Sequence, residues 1–392
     1  MRVLFLSSWF PHPPLNGSRL RINLLLRSLA AQHDVALLSF ADRPDVDPAA
    51  PALRALCRTV EIVPRVPFHP EAWRSRLAWV GAQPRSLTAT FSQPMAEAVA
   101  RVAPTCDAVV ASQIACAAYA PYFGGAPALF EEVELGSLHE RLDDAGRIER
   151  WRVQLRRIKY RYYLRGLLRH FSACTVVSER ERQLLAAVLG DRHAIHILPN
   201  GVAADDYRHE AIWRADTVIF TGSLRYGPNY DGMCWFTREV WPRVLRARPG
   251  ARLLITGDGD DRPLPAADRI ERVGLVDDVR PLIATAALAV APIFTGGGTR
   301  LKILEAMAAG TPVVASSKGA EGIEAMDGRH LLLADDPQGF AEHVIAVLGD
   351  GELRGRLSQA ARQLVAARYD WRTLGPRFEA LVASLARSGA PA

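Results

Sequence analysis

The feature that most constrains the fold is a pattern that starts twice. Val3–Ser8 is a short apolar run that ends in small residues. It leads through a loop (Trp9 to Gly17) into Arg19–Ala31, where apolar residues recur at helical spacing. Thr217–Ser223 begins again in the same way, apolar and ending in small residues, followed by a loop with Pro228 and a helix candidate at Tyr230–Arg246. After the first start, Val35–Phe40, Val60–Val63, Ala108–Ser112 and Ala128–Glu131 read as strands separated by turn-rich or helix-like segments such as Met95–Val102. After the second, Leu253–Gly257, Ile270–Val273, Leu288–Pro292 and Pro312–Ser316 continue the alternation. Strands alternating with helices imply parallel sheets covered on both faces. The expected fold class is therefore α/β, with two Rossmann-like doubly wound parallel-sheet domains facing a central cleft, where the carboxyl ends of such strands bind ligands.

A chain of 392 residues has room for two such domains. The turn at Leu198-Pro199-Asn200-Gly201 sets the expected boundary, giving a first domain over 1–198 and a second over 199–375. A C-terminal helix follows at 376–392; packing back on the first domain and packing on the second both stay open. Composition is that of a soluble globular protein, 49% hydrophobic and 23% charged. The five cysteines show no Cys-x-x-Cys spacing, which argues against a zinc knuckle or a disulfide framework and for a reducing, cytoplasmic setting. No window reaches about 18 uninterrupted apolar residues, so no membrane span is expected. The net charge of +6 favours anionic partners without choosing among them.

The stretch from Phe294 to Val314 carries the most chemistry. Gly296, Gly297 and Gly298 follow a strand and precede a helix whose buried face is set by Leu301, Leu304 and Ala308. Bare amides at such a helix start approach phosphate oxygens closely. Arg300 and Lys302 add positive charge, and Thr299 adds an amide. A bare anion site has no use for Glu305, whereas a ribose diol just beyond a diphosphate does, because a carboxylate accepts hydrogen bonds from its hydroxyls. A tight strand-to-helix turn with solvated charges is the plain alternative.

These residues resemble the donor-binding motif of the retaining glycosyltransferases of family four, which have the GT-B architecture. The resemblance also covers Phe10-Pro11-His12-Pro13-Pro14 with Gly17, Val176-Val177-Ser178-Glu179, Leu198-Pro199-Asn200-Gly201-Val202, Phe220-Thr221-Gly222-Ser223 and Gly274-Leu275-Val276-Asp277-Asp278-Val279. It implies that Glu305 holds the ribose, that Gly297, Gly298 and Thr299 supply amides, and that Arg300 and Lys302 neutralise the diphosphate. Gly17 matches the glycine that faces the diphosphate from the first domain. Much of that family has a second glutamate, for the transferred sugar, where this chain has Gly297. The Gly-Gly-Gly-Thr-Arg-Leu-Lys form resembles a bacterial subgroup associated with surface and exopolysaccharide synthesis. An Arg and a Lys often follow the first strand of the second domain; here Arg225 is the nearest match and the lysine is missing. In the first domain, Glu131 or Glu132 stands where the family often places a histidine, with His139 a few residues on. Glu132 and His139 are the catalytic candidates, beside the plain reading of an acidic loop capping a helix. Arg19 and Arg21, just beyond Gly17, either assist at the diphosphate or solvate a helix.

The expected activity is retaining transfer from a nucleoside-diphosphate sugar to a glycan, a lipid-linked glycan or another small acceptor. No metal and no cofactor is expected, since Asp258-Gly259-Asp260 falls in a turn where the family uses none. The basic, aromatic stretch 147–169 suits the anionic inner face of a membrane, and equally an exposed solvated helix. Nucleic acid is not expected as a partner, for no recognised module accompanies that stretch. The competing readings are a nucleotide-sugar epimerase of the same fold and a non-catalytic nucleotide-sugar-binding subunit.

Overall fold

In the computed structural model, both starts become the first strand of a sheet. The structure describes residues 1–14, 16–43, 46–69, 71, 83–135, 147–190, 194–207, 214–259, 261–297 and 300–388. The chain divides into two compact units, Met1–Pro199 with Gly375–Ala392, and Asn200–Leu374.

In unit 1 seven parallel strands, β1 (Arg2–Ser7), β2 (Asp34–Ala41), β3 (Thr59–Pro64), β4 (Ala108–Ser112), β5 (Ala128–Glu131), β6 (Ala173–Val176) and β7 (Ala194–Ile197), lie in the order β3-β2-β1-β4-β5-β6-β7. Strand β1 is apolar on both faces because helices cover both, and Val3, Leu4 and Phe5 are fully buried. Register pairs Leu4 with Ala36 on one side and Val109 on the other. The main helices are α1 (Gly17–Ala30), α2 (Arg147–Leu167) and α3 (Glu179–Leu189). Asn16 caps α1, its side chain accepting from the Arg19 amide at 3.0 Å.

In unit 2, β8 (Arg214–Thr221), β9 (Arg252–Thr256), β10 (Ile270–Gly274), β11 (Ala286–Ala291), β12 (Val313–Ala315) and β13 (Leu332–Leu333) form a second parallel sheet, ordered β10-β9-β8-β11-β12-β13. Its helices include α4 (Gly227–Trp235), α5 (Leu301–Ala309), α6 (Gly351–Arg368) and α7 (Trp371–Ser388), which carries the chain back into unit 1. The helix expected at Tyr230–Arg246 starts earlier, at Gly227, and is interrupted by a π turn over Phe236–Val240. The turn lies just before Pro242, which has no N–H to continue the ladder.

Strands β6, β7 and β13 were not legible as such. They are four, four and two residues long, and Thr175 and His196 break any apolar run. The Asn200-Gly201 turn has a packing cause. The Val202 amide donates to Tyr369 O at 2.9 Å, and a Cβ on Gly201 would lie 2.5 Å from that same oxygen. On the other side of the junction, His33 Nε2 lies 2.8 Å from Glu379 within unit 1. The five cysteines are unpaired, and among the described residues no helix is long and apolar enough to cross a membrane.

Candidate active site

In each sheet the strand order reverses beside the first strand, between β8 and β11 in unit 2 and between β1 and β4 in unit 1. Such switch points open a crevice at the carboxyl ends of the strands.

In unit 2 the glycine loop leaves β11 at this point and enters α5. Gly296 has a φ of +90°, which favours glycine, and a Cβ there would also displace the exposed Tyr226 side chain, whose hydroxyl lies 2.6 Å away. Arg300 is the N-cap residue of α5, and its guanidinium donates to the loop's own carbonyls, to Thr295 O at 3.0 Å, Gly296 O at 2.6 Å and Gly297 O at 2.7 Å. Gly298 and Thr299 lie outside the described residues.

Two residues beyond Arg300, Lys302 reaches back to the end of β8. Its Nζ donates to Asn229 Oδ1 at 3.0 Å and sits 3.8 Å from the centre of the Phe220 ring. Asn229 is itself held by donating to Ser223 O at 2.7 Å. Gly222, just beyond β8, has a φ of +137°, and a Cβ there would lie 2.9 Å from both Lys302 Nζ and Asn229 Nδ2, so the residue after the strand is glycine. Burial pulls the Lys302 ammonium down to about 7, with the Arg300 charge adding and Glu305 opposing. Glu305 accepts from the Tyr207 hydroxyl at 2.8 Å. Burial raises its carboxyl above the usual range, against that hydrogen bond and the charges of Lys302 and Arg280.

Arg225 is exposed. It pairs with Asp261 at 3.0 Å and lies 3.7 Å from Asp258, so its charge is met by its own neighbourhood.

In unit 1 Gly17 is the exposed first residue of α1. Arg19 and Arg21 are neither solvated nor open to a ligand: Arg19 pairs with Asp42, and Arg21, 2% exposed, pairs with the fully buried Glu131 at 2.6 Å. Arg21 also donates to Leu198 O at 3.0 Å and Pro199 O at 3.1 Å, while Ser112 donates to the other Glu131 oxygen at 2.8 Å. Glu131 is thus consumed by structure.

Glu132, the next residue, is not. It turns at a φ of +60° beyond the end of β5, with its amide donating to Thr175 Oγ1 at 3.0 Å. Gln113 Nε2 donates to Glu132 Oε2 at 2.9 Å, and Gln113 Oε1 accepts from Ser8 Oγ at 2.6 Å and Trp9 Nε1 at 3.1 Å. Burial raises the Glu132 carboxyl to about 7; Glu131 and Glu134 push it up, Arg21 and Gln113 hold it down. His139 lies outside the described residues. Asn229, Tyr207, Gln113, Ser8 and Trp9 were not singled out from sequence. Only Asn229 carried a signal, since it lies in the first turn of α4, just after the first strand of unit 2, where the resemblance leads to a lysine.

Residues 215–350 match the family model of glycosyl transferases group 1. That segment holds Arg225, Asn229, Lys302 and Glu305. Among curated relatives, the phosphatidyl-myo-inositol mannosyltransferase of Mycobacterium tuberculosis is 34% identical over 234 residues, covering 55% of this chain and 60% of that protein. The lipopolysaccharide core biosynthesis glycosyltransferase LpsE of Rhizobium meliloti is 28% identical over 150 residues, covering 35% of this chain and 43% of that protein. The chain thus spans about three fifths of the length of the mannosyltransferases it matches. Among solved structures, Anabaena HepE in complex with UDP and glucose has a TM-score of 0.70 at 16% identity, covering 98% of this chain and 100% of that one. The two Rossmann-like sheets and this whole-chain likeness establish the GT-B fold expected from the sequence.

Proposed function

We propose that this protein transfers a sugar from a nucleoside-diphosphate sugar to a glycan, glycolipid or other small acceptor, with retention of anomeric configuration and without a metal or other cofactor. The observation that carries this reading is the pairing of Lys302 and Glu305 on adjoining turns of α5, at the β8/β11 switch point and directly behind a glycine loop. A diphosphate followed by a ribose uses the cation and the carboxylate in that order. In this reading Gly297, Gly298, Thr299 and Arg300 meet the diphosphate with Lys302, and Glu305 accepts from the ribose hydroxyls. Lys302, anchored through Asn229, supplies the cation that the β8 loop lacks. Gly17 is a further donor contact, and Arg225 becomes one on exchanging Asp261 for phosphate. The bond from the anomeric carbon to the phosphate oxygen breaks as the acceptor oxygen bonds to that carbon on the same face, the leaving nucleoside diphosphate keeps the electron pair, and the acceptor proton passes to Glu132.

The named relatives act on phosphatidyl-myo-inositol and in lipopolysaccharide core biosynthesis, which supports a lipid-borne acceptor in surface-polysaccharide synthesis. The exposed Ile158, Arg161 and Tyr162 on α2 suit contact with an anionic cytoplasmic membrane face.

A thermal-shift screen with UDP-, GDP-, ADP- and dTDP-sugars, followed by NMR of the product's anomeric configuration, tests the proposal. One nucleotide class should raise Tm and give a product with the donor's configuration. An inverted product ends the retaining assignment. Interconversion of donor alone would mark an epimerase, and binding without turnover over an acceptor panel a binding module.

A further inference from the structure

Two residues of unit 1 hold backbone conformations that side chains rarely adopt, and they hold each other. Gln113, with φ +66°, and Glu132, with φ +60°, each leave the end of a strand, β4 and β5, and meet through the 2.9 Å bond from Gln113 Nε2 to Glu132 Oε2. Such conformations cost on the order of 1–3 kcal/mol each and persist only where the surroundings enforce them. Here the surroundings are identifiable. The Gln113 carbonyl oxygen accepts from Ser8 Oγ and from Trp9 Nε1, and because the indole N–H can only donate, a flipped amide would set donor against donor there. The NH2 group is therefore committed to Glu132. The other face is fixed by the Glu132 amide on Thr175 Oγ1.

We propose that Gln113 is a positioning residue: locked by Ser8 and Trp9, it engages Oε2 of Glu132 and leaves Oε1 as the oxygen that receives the acceptor hydroxyl's proton. This rests on the reading of Glu132 as the proton acceptor. Oε1 lies 4.0 Å from Arg21 Nε, and the Glu132 side chain keeps 18% of its surface exposed, so a hydroxyl can reach it. The charged groups facing this carboxylate are Arg21 on α1, Glu131 on β5 and Glu134 in the loop beyond. A hydrogen bond donated to the ionised form favours that form, so Gln113 keeps Glu132 able to take a proton near neutrality.

The test is a carboxyl 13C NMR titration of the full chain labelled with 13C-glutamate, the Glu132 signal being assigned by its loss in Glu132→Gln. Gln113→Gly removes the amide and suits the positive φ, so folding is preserved. It should move the Glu132 titration up by about one pH unit, and Trp9→Phe should move it less in the same direction. The acid limb of turnover, measured with whichever nucleotide-sugar gives the largest thermal shift, should move up with it while the affinity for that donor stays constant. An unmoved titration in Gln113→Gly overturns the positioning role. Full turnover in Glu132→Gln overturns instead the proton-acceptor reading on which it rests, and the two failures are read on different variants.

Discussion

The two switch points of this chain are built in opposite ways. In unit 2 the site is nearly one continuous stretch, a glycine loop and the first turns of α5, with Asn229 and Tyr207 steadying Lys302 and Glu305. In unit 1 it is assembled from the ends of β1, β4, β5 and β6, with side chains bonding to side chains and to one backbone amide across them. A site carried on one loop and one helix tolerates much, because local geometry keeps its groups together. A site of side chains needs every partner, because burial leaves any orphaned charge uncompensated. The difference teaches that unit 1 should respond to substitution through stability and proton affinity, and unit 2 through nucleotide affinity.

The largest expected effect is in unit 1. Arg21→Leu leaves Glu131 buried without its partner and should cost about 3–5 kcal/mol in denaturant unfolding; a loss under about 1 kcal/mol would mean that the pair is not structural. The next effect belongs to unit 2. Glu305→Ala should weaken nucleotide binding by about 10- to 100-fold, the equivalent of hydrogen bonds to a charged group, as read by calorimetry, with little change in unfolding. Gly296→Ala tests the loop. With φ +90° and the Tyr226 hydroxyl 2.6 Å from the new methyl, the substitution should cost about 1–3 kcal/mol and reduce nucleotide affinity; unaltered stability and affinity would show that the loop does not need glycine.

The smallest effect is a pH dependence. Lys302 is charged below about 7 and neutral above it. Bound diphosphate prefers the charged form, so nucleotide affinity should fall as pH rises through 7 and on to 8, by up to about tenfold per pH unit. Lys302→Met should flatten that slope. A slope that survives in this variant assigns the pH dependence elsewhere.

Much of the fold was legible because long apolar strands between helices admit few arrangements. The strands at 108–112 and 128–131 have the expected limits, and the second start at Thr217 is the core of β8. Strands β6 and β7 escaped because Thr175 and His196 interrupt their short apolar runs, and β13 because two residues carry no period. For the same reason the glycine loop was legible as a local device, whereas the Gln113–Glu132 contact joins residues 19 apart and Ser8–Gln113 joins residues 105 apart.

The sequence by itself determined the doubly wound pattern, its repetition and the order of glycine, cation and carboxylate entering α5, all of which depend on local spacing. Only the tertiary structure decided what each charge does. It buried Arg21 against Glu131, turned Arg225 onto Asp261, delivered Lys302 to Asn229 and left Glu132 as the carboxylate beside Gln113. The physical reason is that a charge is assigned by what it is desolvated with, and desolvating partners come from distant strands that no local pattern brings together.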